Sequence, residues 1–222
     1  MAAADPRTLV AQALALPDVV AALAHASAVD VVAVGKAAGP MLDAASTLIA
    51  RPIRTRLGVG PQRPETLAAG TAWIVSGHPV PTEASVDAAT QVLDVARQQH
   101  PDDLLLVLLS GGASALMALP AAGVTLADKQ AAIRTLLTGG ATINELNCVR
   151  KHLSAIKGGR LAQATAGATV TFALSDVVGD DLESIASGPT YWDSSTFGEA
   201  MDRGDKATMP TLGPSVAHER LN

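Results

Sequence analysis

Six consecutive apolar residues, Leu104-Leu105-Leu106-Val107-Leu108-Leu109, end abruptly at Ser110-Gly111-Gly112-Ala113-Ser114. A run this short and uniformly apolar, preceded by Asp102 and Asp103, predicts the central strand of a parallel sheet, covered on both faces. Ligands of such sheets collect at the carboxyl ends of the strands. There, Gly111 and Gly112 would let backbone N–H groups approach an oxyanion, while Ser110 and Ser114 would add hydroxyl donors. The same turn would equally serve a tight strand-to-helix connection that needs glycine for packing alone.

Composition supports the class. Hydrophobic residues fill 48% of the 222 positions but aromatics only 2%, so the core is built from Ala, Val, Leu and Ile, as suits helices laid on a sheet. This length holds one large α/β domain or two small ones. With 16 basic and 21 acidic residues the formal charge is −5, which leaves no basic footprint for nucleic acid, and scarce aromatics leave no stacking platform. The single cysteine, Cys148, excludes an intrachain disulfide and a cysteine-rich zinc site and reads as a small core residue. No apolar run approaches the ~20 residues that span a bilayer, and no signal pattern opens the chain. The expectation is a soluble cytoplasmic protein with no membrane partner.

The expected order of elements begins with Asp5-Pro6, an N-cap and first-turn proline for a helix interrupted at Pro17. A strand over 29–34 leads to Gly35-Lys36 and a helix over 37–48. Pro52, Pro61 and Pro64 reduce residues 51–70 to one edge strand near 57–59 and a loop. A strand at 73–75 leads to Gly77-His78-Pro79 and a helix over 82–98. Beyond the 104–109 strand, Thr125-Leu126-Ala127-Asp128 reads as a capping box for a helix ended by Gly139-Gly140. A further helix over about 142–154, a short one at 160–164 and a last strand at 170–174 bring the chain to Ser175-Asp176. The fold class is α/β, a Rossmann-like parallel or mixed sheet with helices on both faces in a three-layer sandwich.

If the strands are parallel, four turns meet on one rim: Gly35-Lys36, Gly77-His78-Pro79, Ser110-Gly111-Gly112, and Ser175-Asp176 with Gly179-Asp180-Asp181. Together they hold a lysine, glycine-rich amides and acidic residues for a hard cation such as Mg²⁺, the parts that phosphoryl transfer requires. Each has a plainer reading alone. Lys36 is then a solvated surface lysine, His78 turn packing, Asp176 a helix cap, and Asp180 and Asp181 turn residues. Helical spacing also gathers Asn147, Arg150, Lys151 and Ser154 on one face, with Lys157 just beyond. A solvated face explains this, yet basic residues concentrated in an acidic chain also suit anion binding at Arg150, Lys151 or Lys157. The P-loop, the dinucleotide fingerprint, His-Glu-x-x-His and Gly-x-Ser-x-Gly are absent.

The ordered set Val34-Gly35-Lys36-Ala37-Ala38, Gly77-His78-Pro79-Val80-Pro81, Leu109-Ser110-Gly111-Gly112-Ala113-Ser114-Ala115-Leu116, Ile143-Asn144-Glu145-Leu146-Asn147, Val149-Arg150-Lys151-His152-Leu153-Ser154 with Lys157-Gly158-Gly159-Arg160, and Ser175-Asp176-Val177-Val178-Gly179-Asp180-Asp181 with Ile185-Ala186-Ser187-Gly188-Pro189-Thr190 resembles the class II glycerate 2-kinases. Some members of that family are labelled hydroxypyruvate reductases. The resemblance covers residues 5 to 200. It implies ATP-dependent phosphorylation of the 2-hydroxyl of D-glycerate to 2-phosphoglycerate, with Mg²⁺ as cofactor and a homo-oligomeric state left open. On this footing Lys36 would neutralise transferring phosphate or substrate carboxylate, and the turn of Ser110, Gly111, Gly112 and Ser114 would cradle phosphates. Asp176 would activate the hydroxyl or hold Mg²⁺ with Asp180. His78, Asn147, Arg150, Lys151 and Lys157 are the further phosphate- or substrate-binding candidates.

The expected organisation is an N-terminal glycerate kinase domain over 1–195 and a divergent, loosely ordered tail over 196–222. Family members continue for about a second domain's length, with Gly-Gly-Glu-Thr-Thr and Gly-Gly-Arg-Asn-Gln-Glu type regions that this chain lacks. A one-sided cleft is therefore expected, with weak or no kinase activity and an exposed apolar patch. Two alternatives stand beside the kinase: an oxidoreductase acting on hydroxypyruvate, against which the missing dinucleotide fingerprint counts, and a non-catalytic ligand-binding remnant.

Overall fold

The computed structural model describes residues 5–174, 185–196 and 198–200. The Asp5 carboxylate accepts a hydrogen bond from the Arg7 N–H and precedes Pro6, so the chain enters α1 (Pro6–Leu14) at once. Pro17 then opens α2 (Pro17–His25). There follow β1 (Val29–Val34), α3 (Ala38–Leu48), β2 (Ile53–Gly60), β3 (Thr71–Val75), α4 (Glu83–Arg97), β4 (Leu104–Leu109) and α5 (Ala113–Leu116). The remainder is α6 (Leu126–Thr138), α7 (Ile143–His152), α8 (Arg160–Gln163), β5 (Ala168–Ala173) and a 3-10 turn at Ile185–Ser187. The Thr125–Asp128 box that starts α6 is formed as expected, and Thr142 with Glu145 starts α7 in the same way. No single helix among the described residues is long and apolar enough to cross a membrane.

All five strands are parallel and lie in the order β3-β2-β1-β4-β5. Every residue of β1 and β4 is buried. Alternate side chains serve opposite layers, as strand geometry demands. Val29, Val31, Ala33, Leu104, Leu106 and Leu108 face a core shared with α1, α2 and α3. Val32, Val34, Leu105, Val107 and Leu109 face the other, with Val92 of α4, Leu116 of α5 and Leu161 of α8. Each Leu or Val so buried contributes on the order of 2 kcal/mol, which is why the 104–109 run dictates the centre of the sheet. A smaller third core joins Leu136 of α6 to Leu146 and Val149 of α7.

One strand differs from expectation. β2 is not an edge strand near 57–59 but an eight-residue interior strand between β1 and β3. Its apolar signal is diluted because Gly58 and Gly60 leave room for the Trp73 indole, whose Cε3 lies 2.2 Å from where a Cβ on Gly58 would stand. β3 takes the edge.

Order reverses between β1 and β4. β1 passes to β2 on one side and β4 to β5 on the other, which opens a crevice between their carboxyl ends. The amino ends are tied by charge: Arg54 on β2 pairs with Asp30 on β1 and, at 2.9 Å, with Asp103 just before β4. Burial alone would raise the Asp30 carboxyl. Hydrogen bonds from Arg54, Thr55 and Gln99 outweigh that and hold it below its ordinary 3.8. A carboxyl lowered by folding adds stability that is present above its unfolded pKa and lost as pH falls through the folded one. Arg54→Leu, which strands Asp30 in the interior, is expected to cost on the order of 3 kcal/mol at pH 7. The loss should shrink at pH 4, where the stranded carboxyl can take a proton. Urea unfolding at the two pH values measures both.

Candidate functional site

The carboxyl ends of β1 and β4 are locked together by their turns. The Lys36 N–H donates to the Gly111 carbonyl at 2.9 Å, and the Ala37 N–H donates to Ser110 Oγ at 3.0 Å. Gly35 has φ +136°, and a Cβ there would stand 2.1 Å from Ser110 Oγ and 2.6 Å from the Ser110 carbonyl oxygen. No side chain fits at that point. Ser110 is itself buried, so its hydroxyl secures the β1 turn.

Gly112, at φ +89°, is where three turns meet. A Cβ on it would stand 2.9 Å from His78 Cδ2, 3.1 Å from His78 Nε2 and 3.5 Å from Lys36 Cε. Backbone is thereby exposed between a lysine and an imidazole. The N–H groups of Gly111 and Gly112 make no hydrogen bond to any described residue, so they are available to an oxyanion. Burial, and then the charge of Lys36, push His78 below its ordinary 6.5. At neutral pH the ring is uncharged and offers one donor and one acceptor.

A cleft of about 340 Å³ extends from this junction, lined by His78, Gly112 and Ser114. One wall is apolar, with Pro79, Val80, Ile133 and Leu137; the other is basic, with Lys129, Arg150 and Lys157. Val80 and Leu137 are both more than half exposed, at 56% and 55%. The three cations are largely buried, and none has a carboxylate partner among the described residues. Lys157 Nζ donates to the Ala186 carbonyl at 3.0 Å, Lys129 Nζ to the Leu153 carbonyl at 2.8 Å, and Arg150 to Asn147 Oδ1 at 3.4 Å. Burial lowers all three, and mutual repulsion adds to the effect at the two lysines. Lys157 lies well below its ordinary 10.5, and Lys129 is pushed down to about 7 by burial with Arg150 and Arg160.

Two motifs distant in sequence close the basic wall. The Gly158, Gly159 and Leu161 N–H groups donate to the carbonyls of Ser187, Gly188 and Pro189 at 3.2, 2.8 and 3.0 Å. Ala186 and Ser187 adopt left-handed φ of 55° and 59° without being glycine, a conformation that costs on the order of 1–3 kcal/mol each. The strain places the buried Ser187 hydroxyl between Ser114 Oγ, at 3.0 Å, and Asn147 Oδ1, at 3.2 Å.

Of the residues expected from sequence, the structure gathers Lys36, His78, Gly111, Gly112, Ser114, Arg150 and Lys157 along one junction and cleft. Asn147 is buried behind Arg150 and orients it. Lys151 is turned away: it is buried and pairs with Asp193 at 2.6 Å. Asn147, Lys151 and Ser154 are therefore interior groups rather than one open face. Asp176 and Asp180 lie outside the described residues. Sequence reading passed over Lys129. Its signal is position, since Lys129, Ala132 and Leu136 are the buried residues of α6, and a lysine on such a stripe is out of place on an ordinary core-facing helix.

Residues 1–221 of the chain match the family described as a domain of unknown function, DUF4147. The chain belongs to that family. It is 43% identical over 182 residues to a Thermotoga maritima D-glycerate 2-kinase, covering 81% of this chain and 44% of that protein. It is 52% identical over 130 residues to an Agrobacterium vitis protein provisionally named a hydroxypyruvate reductase, covering 58% and 34%. A Thermotoga maritima glycerate kinase crystal structure superposes with a TM-score of 0.80 at 36% identity, covering 95% of this chain and 52% of that one. The chain is thus homologous to the N-terminal region of glycerate kinases, and it spans a third to about a half of these relatives' length. The junction at Gly112 has its own check. By NMR titration the His78 ring should lose its proton below pH 6.5, and Lys36→Met should move that midpoint upward.

Proposed function

We propose that this chain contributes the substrate-binding half of an ATP-dependent D-glycerate 2-kinase. The observation that carries the reading is the pairing, in one cleft, of a lysine-flanked glycine turn with a basic wall that has no carboxylate partner among the described residues. Glycerate and ATP are both anionic. A cleft in which no described carboxylate pairs with Arg150 or Lys157 suits one oxyanion, and the Gly111–Gly112 turn beside Lys36 suits another.

In this reaction the 2-hydroxyl oxygen of glycerate forms a bond to the terminal phosphorus of ATP, the bond to ADP breaks, and the hydroxyl proton is lost. Arg150, steadied by Asn147, and Lys157, held by the Ala186 carbonyl, fix the substrate's charged group. Lys36 meets the charge that spreads over the transferring phosphoryl oxygens, where a fixed cation stabilises the transition state more than the ground state. The neutral His78 ring hydrogen-bonds a substrate hydroxyl. Mg²⁺ is assigned outside the described residues, among which no group of three or more His, Cys, Asp or Glu side chains occurs. Asp176 and Asp180 remain the proposed holders of that ion and Asp176 the proposed base.

A coupled assay for 2-phosphoglycerate from D-glycerate and ATP tests the reaction, with D-glycerate binding followed by calorimetry on the same protein. Turnover by this chain is expected to be weak; Lys36→Ala is expected to lower whatever product forms at least ~100-fold, and Arg150→Met to weaken D-glycerate binding at least ~10-fold. Normal turnover in Lys36→Ala, or NADH-dependent reduction of hydroxypyruvate without phosphoryl transfer, would overturn the proposal.

A further inference from the structure

The third cation of the basic wall has no place in the reading above. Lys129 enters from α6, whereas Arg150 and Lys157 come from α7 and the segment after it. Only 3% of Lys129 is exposed, yet the residue lines the same cleft. Its ammonium donates to the Leu153 carbonyl and, at 3.4 Å, to the Arg150 carbonyl. Lys157 uses a single carbonyl. An ammonium has three donors and a guanidinium five, so the wall keeps donors in reserve. Among the described residues these three cations, two buried lysines and a half-buried Arg150, have no carboxylate partner, which opposes folding, and packing alone would be served better by leucine at position 129. An anion from outside would relieve the arrangement.

We propose that Lys129 is the third ligand of an oxyanion pocket shared with Arg150 and Lys157, which holds the carboxylate or a phosphate group of the substrate against the basic wall. The inference rests on this cleft being the substrate site, but not on phosphoryl transfer taking place. Lys129 has a property that Arg150 lacks. With a pKa of about 7 it is half neutral in the empty pocket at neutral pH, and an anion beside it favours the charged form. The site therefore takes up a proton as it fills, and its affinity falls as pH rises above 7.

The other groups around Lys129 allow the effect to be isolated. Arg150, Arg134 and Arg160 keep their charge, and His78, below 6.5, is already largely neutral. Asp128 is tied to Thr125, and Lys151 and His152 face Asp193. Among the described residues around Lys129, Lys157, itself pushed down, is the further group that could titrate. Lys129→Arg separates the two, since pH dependence that persists in it belongs to Lys157.

Calorimetry with sulfate and with D-glycerate between pH 6.5 and 8.5, where neither ligand titrates, tests the inference on the chain as it exists. The wild-type protein is expected to bind about tenfold more weakly at pH 8.5 than at 6.5, with proton uptake seen as a dependence of the heat on buffer. Lys129→Arg should keep the affinity and lose the pH dependence, and Lys129→Gln should bind at least ~10-fold more weakly. D-glycerate that displaces sulfate assigns the pocket to the carboxylate; sulfate that still binds at saturating D-glycerate assigns it to phosphate. Affinity independent of pH in the wild-type protein overturns the inference, as does Lys129→Gln binding both anions normally. The wild-type series and Lys129→Arg carry the test should Lys129→Gln fold poorly. This binding pattern in a chain whose Lys36→Ala variant turns over as the wild type does would remove the kinase reading and leave the pocket.

Discussion

Everything at the rim depends on the contact between the β1 and β4 turns. Hydrogen bonds from the Lys36 and Ala37 N–H groups to Gly111 and Ser110, with no side chain at Gly35, hold the β4 turn against the residues that lead into α3. That contact fixes where Gly112 exposes its backbone, and hence where Lys36 and His78 stand relative to each other. The sheet supplies the rigidity. Six fully buried apolar residues in β4 anchor one turn and six buried residues in β1 the other.

The basic wall obeys a different logic. It is built from α6, α7 and the 157–161 segment rather than from strand ends, and among the described residues its lysines are held by main-chain carbonyls and its Arg150 by the Asn147 amide oxygen, with no carboxylate. A carbonyl orients an ammonium without placing a counter-charge beside it, so burial and mutual repulsion, not an ion pair, govern the charge of the two lysines. The left-handed residues at Ala186 and Ser187 serve the same end, since the strained turn delivers one carbonyl to Lys157 and one hydroxyl to the Ser114–Asn147 bridge. Strain of that kind persists only where surrounding structure imposes it, and here the backbone bonds to Gly158, Gly159 and Leu161 do so.

Much of the scaffold is legible in the sequence because burial on both faces leaves an unmistakable run, as at Leu104–Leu109, and because capping chemistry such as Thr125 with Asp128 is local. β2 is not legible. Its glycines are there to accommodate Trp73, a contact that exists only in three dimensions. The rim residues follow from strand ends once the strands are known to be parallel. The helix face of Asn147, Arg150 and Lys151 does not resolve from spacing, because spacing groups residues without saying which neighbour they meet: Arg150 meets the cleft and Lys151 meets Asp193. Lys129 could have been found as a cation on an apolar stripe. The left-handed turn at Ala186 and Ser187 could not, since neither residue type signals positive φ.

The chain has two tryptophans, and the fold gives them opposite surroundings. The Trp73 ring lies over the glycines of β2, whereas Trp192 is 67% exposed in the segment that runs beside Gly159. Intrinsic emission from this protein is therefore a sum of two separable signals, a shielded one from the sheet edge and a solvated one from the clasp behind the basic wall. A quencher dissolved in the buffer would reach the second first, so optical measurements can follow the clasp while the sheet remains intact.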